Sequence, residues 1–205
     1  MDGTLVDSEK LWGAALEDLA IHAGGRLSTE ARLAMVGTSM PVSMAIFRED
    51  MGQPGRPSGP DVAWLTERVA VLFADGLVWR PGAQELLLAV RAAGLPTALV
   101  TSTGRRLAEV ALKTLGAENF DVLVCGDEVE RPKPDPEPYL TAAGLLGVPI
   151  GECVAIEDSP SGVASAVAAG ARVLAVPAEV ELPSHDGILV RSTLVGVDPA
   201  FLATL

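Results

Sequence analysis

Apolar residues in the first third of this chain follow a helical spacing. From Asp7 onward they recur every three or four residues, as they do along one face of an α-helix. The first face, which Asp7 or Ser8 could cap, consists of Leu11, Trp12, Ala15, Leu16 and Leu19. Further helices are predicted at 29–35, 41–51 and 61–75, with a loop rich in glycine and proline at 52–60. Residues 8–78 are therefore predicted to be entirely helical.

The pattern changes after residue 79. Helices of roughly ten residues now end at a glycine, and each is followed by a run of apolar, β-branched residues. The helices are predicted at 83–93, 105–115, 136–146 and 161–169, and the strands at 96–101, 121–125, 153–157 and 172–176. A weaker pattern adds a strand at 187–191 and a short helix at 199–205. Apolar strands that alternate with helices indicate an α/β fold: a doubly wound, Rossmann-like parallel sheet with helices on both faces.

These two patterns predict two domains. Residues 1–7 and 79–205 form the α/β core, and residues 8–78 form a helical cap inserted into it. A length of 205 residues suits one large domain with a smaller insertion, and 49% apolar residues can bury a sizeable core.

Charge and composition exclude several classes of partner. The formal net charge is −12, and the lysines are Lys10, Lys113 and Lys133. So acidic a surface opposes binding to nucleic acids and to anionic membranes, since both require clustered cations. No apolar run approaches the ~18 residues of a membrane span. We expect a cytoplasmic monomer that binds a small molecule.

Polar residues follow three of the predicted strands, near the point where each strand ends. Thr101 and Ser102 end the first, Lys133 lies in the loop after the second, and Glu157 and Asp158 end the third. Because ligands of open parallel sheets bind beyond the carboxyl ends of the strands, we expect these side chains to line one crevice.

Each of these signals has a structural alternative when it is taken alone. The hydroxyls could cap the helix that follows them, and a loop lysine is usually solvated. The carboxylate pair could equally cap a helix N-terminus, where negative charge is favoured. Their occurrence together, on consecutive strand–helix units, favours a binding site.

Four short motifs resemble those of the haloacid dehalogenase superfamily. They are Asp2-Gly3-Thr4, Thr101-Ser102, Lys133-Pro134 and Glu157-Asp158-Ser159. The similarity extends over essentially the whole chain, and it is greatest to the branch with a helical cap after the first motif. That branch contains small sugar-phosphate phosphatases and β-phosphoglucomutase.

The resemblance implies a phosphomonoester hydrolase that acts on a small phosphorylated metabolite through an aspartyl-phosphate intermediate. It implies that Asp2 is the general acid and base, that Thr101 and Ser102 bind phosphate, and that Lys133 offsets the negative charge of the phosphate. It also implies a Mg²⁺ ion held by the backbone carbonyl of Asp2 and by the carboxylates of Glu157 and Asp158. Hard oxygen ligands of this kind suit Mg²⁺.

The cap is predicted to close over the site and to set its specificity. Gly37, Thr38 and Ser39 lie in a loop of the cap and are the candidate substrate contacts. Mutases of the branch resembled here carry a histidine where Trp12 stands, and this difference favours hydrolysis over isomerisation. An isomerase similar to β-phosphoglucomutase is the alternative enzyme.

The nucleophile of the resembled family lies two residues before the general acid and base, because strand residues two apart project to the same side. Counting back from Asp2 leads upstream of Met1. The chain as written is therefore expected to lack its nucleophile, together with the first, central strand of the sheet, and to be inactive. One explanation is a misplaced or trimmed start; the other is a relative that binds phosphate without catalysis.

Overall fold

A computed structural model describes residues 1–178, 180, 182 and 188–205. The α-helices of this described part are α1 (Glu9–His22), α2 (Thr29–Met35), α3 (Met40–Asp50), α4 (Ser58–Ala74), α5 (Ala83–Ala92), α6 (Arg105–Leu115), α7 (Glu137–Leu146), α8 (Pro160–Ala169) and α9 (Pro199–Leu202). The strands are β1 (Ala98–Val100), β2 (Val122–Val124), β3 (Val154–Glu157), β4 (Arg172–Ala175) and β5 (Ile188–Val190). None of these described helices combines the length and the apolar character that crossing a bilayer would require.

The predicted α/β fold is confirmed, with small differences at the ends of elements. The predicted loop at 52–60 is three residues too long, because α4 already begins at Ser58. Pro60 is compatible with this start, since the first turn of a helix leaves its N–H groups without intrahelical partners. The strand predicted at 187–191 is present as β5, and residue 187 lies outside the described residues.

All paired strands run parallel, in two separate ladders. β1 pairs with β2, with Leu99 opposite Leu123. β3 pairs with β4, and β4 pairs with β5. Within the described residues no ladder joins β1 to β3. Each of these two strands therefore has one edge that pairs with no described strand.

Helices cover the sheet on both faces, as the alternation of side chains along β4 shows. Leu174 and Val176 pack with residues of α5 and of the C-terminal segment. Val173 and Ala175 point to the opposite face and pack against α8. Successive residues of a strand alternate between faces, so a run of consecutive apolar residues can be buried on both sides.

The helices α1–α4 bury their apolar faces in one cluster with α6. Phe47, Leu65 and Phe73 from these helices share this cluster with Leu107 and Leu115 of α6. The segments that lead into and out of residues 8–78 are hydrogen-bonded to each other, at 2.8 Å from the Asp7 N–H to the Val78 carbonyl. The division into core and cap at these positions stays a prediction.

Candidate active site

A cavity of about 120 Å³ lies between the carboxyl ends of the strands and helices α1–α3. Eight of the predicted site residues line it: Asp2, Gly37, Thr38, Thr101, Ser102, Lys133, Glu157 and Asp158. Ser39 is buried without lining this cavity, whereas Ser43, which the sequence did not indicate, does line it. The folded chain thus brings together residues that are as far as 156 positions apart, from Asp2 to Asp158.

The carboxylate of Asp2 accepts three hydrogen bonds from side chains. Oδ1 accepts from Ser8 Oγ at 2.6 Å and from Trp12 Nε1 at 3.0 Å, and Oδ2 accepts from Thr103 Oγ1 at 2.8 Å. Ser8 is the N-cap residue of α1; its side chain makes no capping bond, and its hydroxyl donates to Asp2. Sequence reasoning gave no functional role to Ser8 or Thr103, although Thr103 directly follows the predicted phosphate-binding pair.

Thr101 is buried at the end of β1, and its hydroxyl serves the local turn. Its Oγ1 accepts a hydrogen bond from the Thr103 N–H at 3.1 Å, which lies in the turn before α6 and does not cap that helix. The next helix is capped by another residue, because Asp127 Oδ1 accepts from the Arg105 N–H at 2.9 Å. Ser102 lines the cavity together with Thr101.

Lys133 and Glu157 form a buried ion pair. Lys133 Nζ lies 2.5 Å from Glu157 Oε1 and 3.0 Å from the carbonyl oxygen of Val100, and the two side chains are only 7% and 6% exposed. Burial by itself would raise the pKa of Glu157, but the positive charge of Lys133 holds that pKa below its ordinary value. Lys133 is therefore not a solvated loop lysine.

Asp158 is buried beside Glu157 and carries the opposite pKa shift. Its Oδ1 accepts a hydrogen bond from Thr4 Oγ1 at 2.6 Å. Burial and the neighbouring charge of Glu157 raise the pKa of Asp158 to about 6. Lys133 thus offsets the negative charge of Glu157, whereas a negative charge on the adjacent Asp158 is disfavoured in the folded chain.

Gly3 and Gly162 lie so close to the carboxylates of Asp158 and Glu157 that neither position has room for a side chain. A Cβ atom on Gly3 would lie 2.0 Å from Asp158 Oδ2, and Gly3 also has a φ of +66°, which favours glycine. A Cβ atom on Gly162, in the first turn of α8, would lie 2.0 Å from Glu157 Oε2. Larger residues at either position must displace a carboxylate.

Replacing Gly162 by alanine is expected to lower the free energy of unfolding by about 1–3 kcal/mol, because the new methyl group overlaps the buried Glu157 carboxylate. The matched control is Gly144→Ala in α7, where nothing lies within 4 Å of the new atom. That change is expected to raise the free energy of unfolding by up to about 1 kcal/mol through helix propensity. Urea denaturation of both variants measures these effects, and shifts of equal sign would contradict the steric argument.

A loop of residues 36–38 closes the cavity from the side of α2 and α3. Ser161 Oγ, at the start of α8, donates to the Gly37 carbonyl oxygen at 2.5 Å. A Cβ atom on Gly37 would lie 2.6 Å from the Ser159 side chain, so only glycine permits this approach. The Thr38 hydroxyl forms a hydrogen bond with the hydroxyl of Ser43, with 2.7 Å between the two oxygens.

Comparison with known proteins gives one consistent family. A family model described as haloacid dehalogenase-like hydrolase matches residues 1–170. Hexitol phosphatase A of Escherichia coli is 35% identical over 195 residues, which cover 89% of this chain and 83% of that protein. Protein CbbY of Rhodobacter capsulatus is 34% identical over 191 residues, which cover 87% and 83%.

Solved structures agree with these sequence relatives. The crystal structure of CbbY from Rhodobacter sphaeroides in complex with phosphate is 28% identical and has a TM-score of 0.87, over 99% of this chain and 96% of that one. β-Phosphoglucomutase from Clostridium difficile, at 20% identity, shares the fold with a TM-score of 0.81. The resemblance that the four motifs indicated is confirmed, and the chain belongs to the haloacid dehalogenase-like hydrolases.

Proposed function

We propose that this protein is a Mg²⁺-dependent phosphatase that hydrolyses the monoester of a small sugar phosphate through an aspartyl-phosphate intermediate. The observation that carries the proposal is the meeting of Lys133 with the Glu157–Asp158 pair beside Asp2, in one cavity under the helices of residues 8–78. A buried cation and buried carboxylates at parallel strand ends are suited to a metal-bound phosphate.

The carboxylate pair fits a divalent cation. Glu157 and Asp158 are buried hard-oxygen ligands, and Asp158 Oδ2 accepts no hydrogen bond from the described residues. The described residues hold no cluster of three or more His, Cys, Asp and Glu side chains placed for a metal. The third oxygen in this proposal is the backbone carbonyl of Asp2, as the family resemblance implies. Bound Mg²⁺ would offset the negative charge of the pair and of the substrate phosphate.

In this proposal the phosphate is bound by Lys133, Ser102 and Thr101. Lys133 is held 3.0 Å from the Val100 carbonyl at the end of β1, so its charge stays near the neighbouring hydroxyls. Ser102 lines the cavity, and its hydroxyl is suited to donate to a phosphate oxygen. These three groups can stabilise the negative charge of the phosphate if they are already oriented before the substrate binds.

Asp2 is suited to move a proton at the leaving oxygen of the sugar. Its carboxylate is oriented by Ser8, Trp12 and Thr103, which belong to the first segment, to α1 and to the loop after β1. Trp12, which donates to Asp2 at 3.0 Å, stands where the mutases of the resembled branch carry a histidine, so the proposal is hydrolysis rather than isomerisation. The helices of residues 8–78 act as the cap that excludes bulk water.

The nucleophile of this proposal is the aspartate that the family resemblance implies two residues before the general acid and base, Asp2. The split sheet supports this: β1 and β3 each have one edge without a described partner, and unpaired backbone groups at such edges are costly when buried. Lys133 Nζ contacts the carbonyl of Val100 in β1 and the carboxylate of Glu157 in β3, so both strand ends border one space. A strand between them would place its own end next to Lys133.

The names of the relatives support a phosphorylated sugar as substrate. One relative is a hexitol phosphatase, and another is a phosphorylated carbohydrates phosphatase from Thermotoga maritima. Thr38, Ser43 and Ser102 line the cavity, and their hydroxyls are compatible with a polyhydroxylated ligand.

The test compares the chain as written with one extended upstream in its reading frame through the next strand. Both are assayed for phosphate release from a panel of sugar phosphates, with Mg²⁺ and with EDTA. We expect Mg²⁺-dependent release from the extended chain only. Metal-independent turnover would contradict the proposal, isomerisation without phosphate release would indicate a mutase, and ligand binding without turnover would indicate a non-catalytic relative.

A further inference from the structure

Tyr139 contacts both charged partners of the buried ion pair without lining the cavity. It lies in the first turn of α7, and its hydroxyl donates a hydrogen bond to Glu157 Oε1. The same oxygen accepts from Lys133 Nζ at 2.5 Å, and that nitrogen lies 5.0 Å from the centroid of the Tyr139 ring. Tyr139 can therefore reach a bound ligand only through Glu157 and Lys133.

Packing holds the Tyr139 ring in this place. The ring belongs to the apolar cluster formed by β3, β4 and α8, where it packs with residues such as Ala155 and Val163. A ring fixed by its neighbours presents its hydroxyl at one position, so the hydrogen bond to Glu157 costs little further side-chain entropy.

The Tyr139 hydroxyl is the donor in its bond to Glu157, because an ionised carboxylate only accepts. Glu157 Oε1 thus receives two donors, from Tyr139 and Lys133, while Oε2 receives the Asp158 N–H at 3.3 Å. The ring face also attracts the Lys133 ammonium, which limits the positions that this cation can take.

We propose that Tyr139 is a positioning residue with two separable effects: its hydroxyl orients Glu157 toward Mg²⁺, and its ring holds Lys133 for the phosphate. This inference rests on the proposed function, in which Glu157 binds the metal and Lys133 binds the phosphate. Hydrogen-bonded partners of metal-binding carboxylates commonly tune the affinity of the site.

Two substitutions separate the effects. Tyr139→Phe removes the hydroxyl and keeps the ring, so we expect Mg²⁺ affinity to fall about tenfold or more while the affinity for inorganic phosphate, at saturating Mg²⁺, changes little. Tyr139→Leu removes both, so we expect both affinities to fall. Isothermal titration of the full purified protein with MgCl₂ and then with inorganic phosphate measures both, without relying on turnover.

The control is Ser165→Ala in α8, which deletes another buried hydroxyl. Ser165 Oγ donates to the Asp135 carbonyl at 2.5 Å and makes no bond to Glu157 or Lys133. We expect this variant to lose stability and to keep the Mg²⁺ affinity of the wild-type protein. Equal loss of Mg²⁺ affinity in Ser165→Ala and Tyr139→Phe would overturn the inference, because it would indicate a general structural effect.

The remaining outcomes distinguish this inference from the proposed function. Wild-type protein that binds Mg²⁺, together with a Tyr139→Phe variant of unchanged affinity, would overturn the role of the hydroxyl alone. Phosphate affinity that is equal in the Phe and Leu variants would overturn the role of the ring. Wild-type protein that does not bind Mg²⁺ would overturn the proposed function and this inference together.

Discussion

Replacing Lys133 by methionine is expected to lower the free energy of unfolding by about 3–5 kcal/mol in the absence of metal. Glu157 would then stay buried without the cation that lies 2.5 Å away, and a buried charge that loses its partner is strongly destabilising. Methionine fills a similar volume, so the loss reports the charge rather than a cavity. Urea denaturation in EDTA measures the change.

A second substitution tests the cause of that loss. Adding Glu157→Gln to the Lys133→Met variant is expected to recover most of the lost stability, because the buried charge that Lys133 had offset, on Glu157, is then removed as well. The control is Arg106→Met, whose partner Glu67 is 63% exposed while Arg106 itself is 64% exposed. That surface pair is expected to contribute at most about 1 kcal/mol. Similar losses in the two single variants would show that burial does not govern the Lys133 pair.

Replacing Asp158 by asparagine is expected to stabilise the metal-free protein by about 1–3 kcal/mol at pH 8. Burial and the charge of Glu157 raise the pKa of Asp158 from 3.8 to about 6, so ionisation of this carboxyl weakens the folded state. Asparagine carries no charge and can still accept the hydrogen bond from Thr4. Chemical denaturation in EDTA measures the gain.

The pH dependence of this effect has a definite sign. Between pH 4 and pH 6 the folded wild-type protein binds a proton at Asp158 that the unfolded chain releases, so the free energy of unfolding falls as pH rises through this window. The advantage of Asp158→Asn should therefore be absent below about pH 4 and complete above about pH 7. An advantage that is constant with pH would contradict the assigned cause.

Addition of Mg²⁺ is expected to reverse the order of stability. A ligand present at about 1,000 times its dissociation constant stabilises the folded state by about 4.1 kcal/mol, which exceeds the gain from Asp158→Asn, and only the wild-type protein keeps both carboxylates. The control is Asp75→Asn, an exposed carboxylate at the end of α4, which should alter neither the metal-free stability nor the response to Mg²⁺. If Mg²⁺ stabilised the Asp158→Asn variant as much as the wild-type protein, Asp158 would not be a ligand of the proposed metal site.

Much of the secondary structure followed from local patterns. The helix at Arg105–Leu115 has the bounds that were predicted, since its apolar period and the glycine after it are both local features. The start of α4 at Ser58 was not predicted, because Gly59 and Pro60 are residues typical of a loop. Proline is nevertheless tolerated in the first turn of a helix, where its missing N–H has no intrahelical partner to lose.

The candidate site was predictable where it depends on strand ends. Thr101, Lys133 and the Glu157–Asp158 pair were expected in one crevice, and they line one cavity. Their individual roles as site residues stay predictions. Tyr139 was not anticipated, because an aromatic residue in a helix is usually a packing residue and nothing in the sequence places its hydroxyl next to Glu157.

The sequence by itself therefore determined the α/β architecture, the all-helical character of residues 8–78 and the family, since these depend on periodicity and on short motifs. The tertiary structure decided which donors meet which acceptors. Asp2 is bonded to Thr103 across 101 positions, and Asp158 to Thr4 across 154. Such contacts depend on the packing of whole elements, which no local pattern encodes. Burial raises the pKa of Asp158, whereas the position of Lys133 lowers that of Glu157 despite its burial.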